Sequence, residues 1–369
     1  MELLNYTFYV LFTTILLLIG TIGFVTSKKH KLIYAIFISF VLAIIAYNYV
    51  PPISDDLYRH HQDVYNIMGM QDSDIVNMFL LSSDKGELLS KIVVAKTGNV
   101  NLLQFGITFL TYILIFLLII KMTKGKEYST FSFLLSSLFA IVTISYITVI
   151  SNLYFTLSIL FFCFAIYEYY INNKKIVPIL FVLLSFLLHS SMIVAIVILL
   201  MYIFCKNKLS FKSLLLLVIM LLSINVVIPW LYATFDNTYI TALYNYYDSY
   251  FLDSYNISRL HSTTLMIIYY LKLVPFGLLF FMKKYEEKKM DGYAKYVMIF
   301  IIAMGIITTY SIRFVPIVQM LGYPKITEFL NSKDPKHKKN KIAYSLIIIG
   351  LIMLNILYQY KRITSLFYY

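Results

Sequence analysis

Runs of about twenty apolar residues recur along this 369-residue chain, and the stretches between them carry most of its charge. An apolar run of that length is what an α-helix needs to cross a hydrocarbon core about 30 Å thick. Inside lipid a segment must satisfy its own backbone N–H and C=O groups, which leaves helices as the economical answer. The expected fold is therefore an all-α polytopic membrane protein. About twelve transmembrane helices (range 10–12) form a single integral membrane domain over residues 1–369. A hydrophobic content of 60% and a mean hydropathy of +0.78 agree with that.

The formal net charge is +13. A nucleic-acid partner would need that charge in one patch, but it is scattered over six short clusters between apolar runs. These are Lys28/Lys29/Lys31, Lys121/Lys124/Lys126, Lys174/Lys175, Lys206/Lys208/Lys212, Lys283/Lys284/Lys288/Lys289 and Lys333/Lys336/Lys338/Lys339/Lys341, which hold 20 of the 31 Lys and Arg. Basic residues in short loops mark the cytoplasmic side. No nucleic acid is expected as a partner; the lipid bilayer is.

With every cluster inside, spans fall near 3–25, 32–50, 102–120, 128–149, 152–171, 213–235, 263–282, 293–312, 313–330 and 342–360. Segment 51–101 becomes a large extracellular loop and 236–262 a second one. The first holds seven of the 18 acidic residues and the second three more. Both termini are expected outside. The first span lacks a basic leader and a small-residue cleavage site, so it reads as retained.

Segment 176–205 decides the parity. One long helix there would invert everything downstream. Two short helices of about 15 residues, breaking near His189-Ser190-Ser191, keep every cluster inside. Each would reach only about 22 Å, so their tip lies below the outer surface and His189 sits at the floor of a recess.

Cys163 and Cys205 lie in or at the end of apolar helices and give no reason to pair. No CxxC, HExxH or Walker sequence occurs, and the halves show no convincing repeat. No cofactor and no metal are expected.

The densest polar stretch follows the second span: Ser54-Asp55-Asp56-Leu57-Tyr58-Arg59-His60-His61-Gln62-Asp63-Val64-Tyr65. Read as a short outer helix, it pairs Asp55 with Arg59 and Asp56 with His60 at i,i+4, and puts Asp56 and Asp63 on one face. Carboxylates beside His and Arg can orient sugar hydroxyls, act as a general base or bind a metal; a solvated helix with ordinary ion pairs has the same pattern.

Arg313 follows Thr308-Thr309-Tyr310-Ser311-Ile312 at an outer span end. It either snorkels or offers a guanidinium fork to a diphosphate. Arg259 is a second outer candidate. The tyrosines of loop 236–262 suit an aromatic belt or carbohydrate stacking. Lys272 and Glu168 are the charged residues within apolar runs, each expected near a helix end.

Three motifs together resemble the EpsG-type members of the Wzy family of bacterial polysaccharide polymerases. They are Ser54-Asp55-Asp56-x-Tyr58-x6-Tyr65, the Lys174/Lys175 pair leading to Phe186-x-x-His189-Ser190-Ser191, and Thr309-Tyr310-Ser311-Ile312-Arg313. One departure stands out. Family members often carry an Arg-Gln pair where the fifth span begins, and this chain has Ser151-Asn152-Leu153-Tyr154-Phe155.

The resemblance implies a membrane glycosyltransferase of the bacterial plasma membrane. It would polymerise undecaprenyl-diphosphate-linked oligosaccharide repeat units into capsular or exopolysaccharide at the extracellular face. Asp55, Asp56, His189 and Arg313 are the implied catalytic residues. Tyr58, Arg59, Tyr65, Arg259 and Tyr310 are the implied substrate contacts, and a flippase and a chain-length regulator of the same pathway are implied partners. The alternatives are a lipid-linked oligosaccharide flippase, which would need charges lining a path between both faces, and a membrane acyltransferase.

Overall fold

The computed structural model describes residues 2–27, 30–53, 55–125, 127–144, 146–205, 211–235, 240, 241, 244, 248, 263–281, 289–305, 313–332 and 338–366. Among these the chain forms sixteen α-helices and no strands. Three are long and apolar enough to cross a membrane, by length and composition: Asn101–Thr123, Leu153–Tyr170 and the Lys339–Tyr358 part of the last helix. Six apolar helical stretches of 10–17 residues accompany them. The membrane-like, all-helical class is as expected; a count of about twelve spans goes beyond these helices.

Backbone contacts divide the chain into two compact units, residues 1–193 with 323–369, and residues 194–322. The first unit opens with α1 (Glu2–Thr26) and α2 (Lys31–Tyr47). Segment 51–101, expected as a loop with one short helix over its first polar stretch, holds that helix as α3 (Asp56–Met68) and two more, α4 (Asp72–Leu81) and α5 (Lys85–Thr97). They enclose a small apolar cluster of Ile67, Ile75 and Leu88, with Met78, Phe79, Ile92 and Ala95 packed against it. Asp55 caps the first turn of α3, and Gly98, with φ 71°, ends α5 in the left-handed conformation.

Three longer helices follow, α6 (Asn101–Thr123), α7 (Thr130–Thr143) and α9 (Leu153–Tyr170), with the short α8 (Tyr146–Ser151) between the last two. The span expected near 128–149 is thus split between α7 and α8. Side by side, α2 packs on α6 and α9 on α10 (Ile176–Leu188). In the α9–α10 pair the Ser185 hydroxyl donates to the Ser158 carbonyl at 2.8 Å, so a buried polar group finds a partner across the interface.

The break in 176–205 falls where parity required it. Helix α10 stops at Leu188, His189 is extended (φ −157°, ψ 109°), Ser190–Met192 make a single 3-10 turn, and α11 (Ile193–Phe204) continues. With 13 and 12 residues the two helices reach only about 20 and 18 Å.

Lys31, Lys121 and Lys174, each from a different basic cluster, and Asn331 lie at one end of the first unit. Buried Glu168 pairs with Lys121 at 2.5 Å and with Lys174 at 3.2 Å. The Lys31 ammonium lies 4.7 Å from the Phe133 ring centroid at the start of α7. Asn331, just before the Lys333 cluster, takes the Ser129 N–H at 2.9 Å and donates to the Glu127 carbonyl at 2.8 Å. The C-terminal ends of α2 and α10 and the N-terminal ends of α6 and α9 therefore share the opposite end.

The second unit contains α12 (Phe211–Thr234), α13 (Thr263–Phe281) and α14 (Lys289–Gly305). The first unit closes with most of α15 (Val315–Asn331) and with α16 (Lys338–Leu366). Lys272, expected near a helix end, is in the middle of α13, buried beside the Tyr269 ring at 4.7 Å. Most of the expected loop 236–262 lies outside the described residues.

Candidate functional site

The end of the first unit remote from the lysine clusters gathers α3, α5, the head of α9 and the His189 tip. Gln104, fully buried in the first turns of α6, organises its base. Its amide nitrogen donates to the carbonyls of Ala46 (2.6 Å), which also accepts the Tyr49 N–H, and of Tyr49 (2.8 Å), just past the end of α2. Its oxygen meets His61 Nε2 at 2.6 Å. Because that oxygen only accepts, the His61 ring carries its proton on Nε2. Burial lowers the His61 pKa, and the Gln104 hydrogen bond acts against it.

Asp55 is a structural anchor in this arrangement. It is 6% exposed. One carboxylate oxygen accepts from the Leu57 N–H (2.9 Å) and the Ser151 hydroxyl (2.6 Å), and the other accepts from the Tyr49 hydroxyl (3.0 Å). It thereby ties the α2–α3 connection, α3 and α8 together. The expected Asp55–Arg59 pairing is replaced by Asp56–Arg59 at 3.5 Å, because Asp55 sits outside the helix as its cap. The Asp56 and Arg59 side chains are 32% and 70% exposed. Tyr58 is half-buried and Tyr65 exposed.

Across from α3, the first turns of α5 bring in residues that sequence reading passed over as loop. Lys91 is 5% exposed, with its ammonium 2.7 Å from Asp63 Oδ2 and 2.6 Å from Glu87 Oε1. His60 Nδ1 stands 3.5 Å from the same Glu87 oxygen and has no hydrogen-bond partner. The His60 ring meets Tyr154 edge-on at 5.2 Å, and the Tyr154 hydroxyl is 2.6 Å from Ser90 Oγ. Burial first, then the Lys91 charge, pushes the His60 pKa down to about 2, so the ring is neutral at ordinary pH. Burial pushes Glu87 up, against the pull of Lys91. An i,i+4 Glu87–Lys91 pair was visible in the sequence; its meeting with Asp63 was not.

The His189 tip is clamped to α5. The Ser190 N–H donates to Asp84 Oδ1. A Cβ on Gly86 would lie 2.9 Å from the Leu187 carbonyl oxygen, so a side chain there must push the tip away. The Ser191 N–H donates to His189 Nδ1 at 3.4 Å, and the Ser191 hydroxyl lies 2.7 Å from the same nitrogen. That contact puts the proton of the neutral ring on Nε2, while Phe155 meets the ring edge-on at 5.1 Å.

The structure thus gathers Asp55, Asp56, Arg59 and His189 with His60, Asp63, Asp84, Glu87 and Lys91 at one end of the first unit. Arg313 belongs to the second unit, half-buried beside buried Phe314. Arg259, Tyr310 and Ser54 lie outside the described residues.

A model of the EpsG family matches residues 71–369. The match takes in α5, the His189 tip and Arg313, and begins after α3. No curated protein and no solved structure matches the chain.

Proposed function

The chain belongs to the EpsG family, and from that premise we propose that it polymerises lipid-linked oligosaccharide repeat units into a capsular or exopolysaccharide. The donor is a glycan on undecaprenyl diphosphate, and the acceptor is the sugar end of a second lipid-linked unit. The reaction takes place at the extracellular face of a bacterial plasma membrane. The observation that carries this reading is the polar gathering around the His189 tip, at the helix ends opposite Lys31, Lys121 and Lys174.

The acceptor hydroxyl oxygen attacks the anomeric carbon of the donor. The bond from that carbon to the diphosphate oxygen breaks, and undecaprenyl diphosphate leaves with the electron pair. The acceptor proton goes to a carboxylate, and Asp56 fits better than Asp55, whose oxygens already accept three hydrogen bonds. His189, with its proton on Nε2, orients an oxygen as a hydrogen-bond donor. Arg313 holds the diphosphate through its planar fork, with Arg259 in reserve, and Tyr310 is a substrate contact. Tyr58, Arg59 and Tyr65 contact the sugars. A flippase and a chain-length regulator act before and alongside it.

Deletion of the gene tests the proposal. Single lipid-linked repeat units should accumulate at the outer face, and reintroducing the chain should restore long polymer. A strain that exports no repeat units at all would point to a flippase.

A further inference from the structure

Lys91 occupies a place with the chemistry of a metal site. A ring nitrogen of His60 and one carboxylate oxygen each from Asp63 and Glu87 lie within 4.8 Å of one another. One imidazole nitrogen and two carboxylates form a donor set for a divalent first-row metal such as Mn²⁺. His60 and Asp63 share a face of α3 at i,i+3, while Glu87 comes from α5, so a cation at the centre joins two helices.

The independent sign that a cation belongs there is His60 itself. Its side chain is 10% exposed, and its Nδ1 faces Glu87 Oε1 at 3.5 Å with no hydrogen-bond partner. A buried ring nitrogen that faces a carboxylate oxygen at 3.5 Å without a hydrogen bond is placed as a metal ligand would be. The Lys91 ammonium meets both carboxylates at 2.6–2.7 Å, through Asp63 Oδ2 and Glu87 Oε1. Ammonium and metal would compete for those groups, so they exclude one another.

We infer that His60, Asp63 and Glu87 form a latent divalent-cation site that the chain keeps filled with its own cation, Lys91. The ammonium bridges α3 and α5 as a metal would, with one positive charge in place of two. Lysine also compensates Glu87 on its own helix and the half-exposed Asp63 on α3. The inference stands apart from the proposed polymerase activity.

The test is Mn²⁺ binding to the purified full chain in detergent, read by electron paramagnetic resonance as loss of the free-ion signal. Lys91→Met removes the charge at similar length. This variant should take up one Mn²⁺ per chain at least about tenfold more tightly than the unaltered protein. Lys91→Arg should not, and adding His60→Ala to Lys91→Met should abolish the gain. If Lys91→Met is monodisperse only when produced with Mn²⁺, the metal has replaced the ammonium and the inference stands. Folded Lys91→Met without Mn²⁺ uptake would overturn it. So would equal uptake by the unaltered chain, or failure of Lys91→Met to fold with and without the metal. No readout here involves glycan synthesis, so failure of the proposed function would leave this result untouched.

Discussion

Asp84 and Ser190 are 106 residues apart in sequence, yet an Asp84 carboxylate oxygen accepts the Ser190 backbone N–H and fastens the His189 tip to the head of α5. Neither helix flanking the tip is long enough to span a bilayer, so the tip depends on contacts of this kind. Asp84→Ala strands a part-buried donor and should cost about 1–3 kcal/mol. Thermal unfolding in detergent should show a lower midpoint, with Asp84→Asn, which keeps an acceptor oxygen, falling between. Identical midpoints for all three proteins would show that the clamp contributes nothing.

Gly86 tests the same contact sterically. Its absent side chain lets α5 approach the Leu187 carbonyl, and a Cβ would meet that oxygen at 2.9 Å. Gly86→Val should displace the tip and reduce polymer by tenfold or more, about 1.4 kcal/mol in rate terms, while Gly98→Asn at the far end of α5 should be tolerated. Polymer yield normalised to membrane protein level is the measurement.

The two adjacent aspartates should fail differently. Asp55→Ala removes a helix cap and the acceptor for Ser151 and Tyr49, at a cost of at least about 1–2 kcal/mol. It should lower the amount of folded protein. Asp56→Asn should leave that amount unchanged and remove polymer. Immunoblots of membranes beside glycan gels separate the two, and wild-type polymer from Asp56→Asn would remove Asp56 from the mechanism.

The proposed orientation rests on the basic clusters, two of which meet at Glu168 through Lys121 and Lys174. In a background lacking Cys163 and Cys205, a cysteine in place of exposed Asp72 should react with an impermeant thiol reagent in intact cells. One in place of Lys175 should not. The reverse pattern would turn the site to the cytoplasm.

Much of the architecture was readable before the fold, and the reason is physical. The lysine clusters called for a break in 176–205, and the polar His189-Ser190-Ser191 within that apolar run marked where it falls. Hydropathy could not reveal α4 and α5, because short amphipathic helices draw their stability from packing such as Ile75 and Leu88 on Ile67, which no local pattern encodes. Asp55 read as chemistry because a carboxylate next to Arg and His looks the same whether it caps a helix or takes a proton. Lys91 was passed over because its partners lie four residues away on its own helix and 28 residues away on another, and only the fold joins them. Two signals were open to use: Gln104, an amide at the head of an apolar run, and the i,i+4 spacing of Glu87 and Lys91.

Arg313 and the polymerase reading meet in one experiment. Purified protein in liposomes would be supplied with a lipid-linked repeat unit and no nucleotide, and the glycans resolved by size. A ladder of products lengthening by one repeat is the expected result. Arg313→Lys should slow it about ten- to hundredfold, through loss of one charge-assisted hydrogen bond worth about 1.5–3 kcal/mol, and Arg313→Ala should abolish it. Movement of intact single repeats across the bilayer without any chain growth would contradict the account.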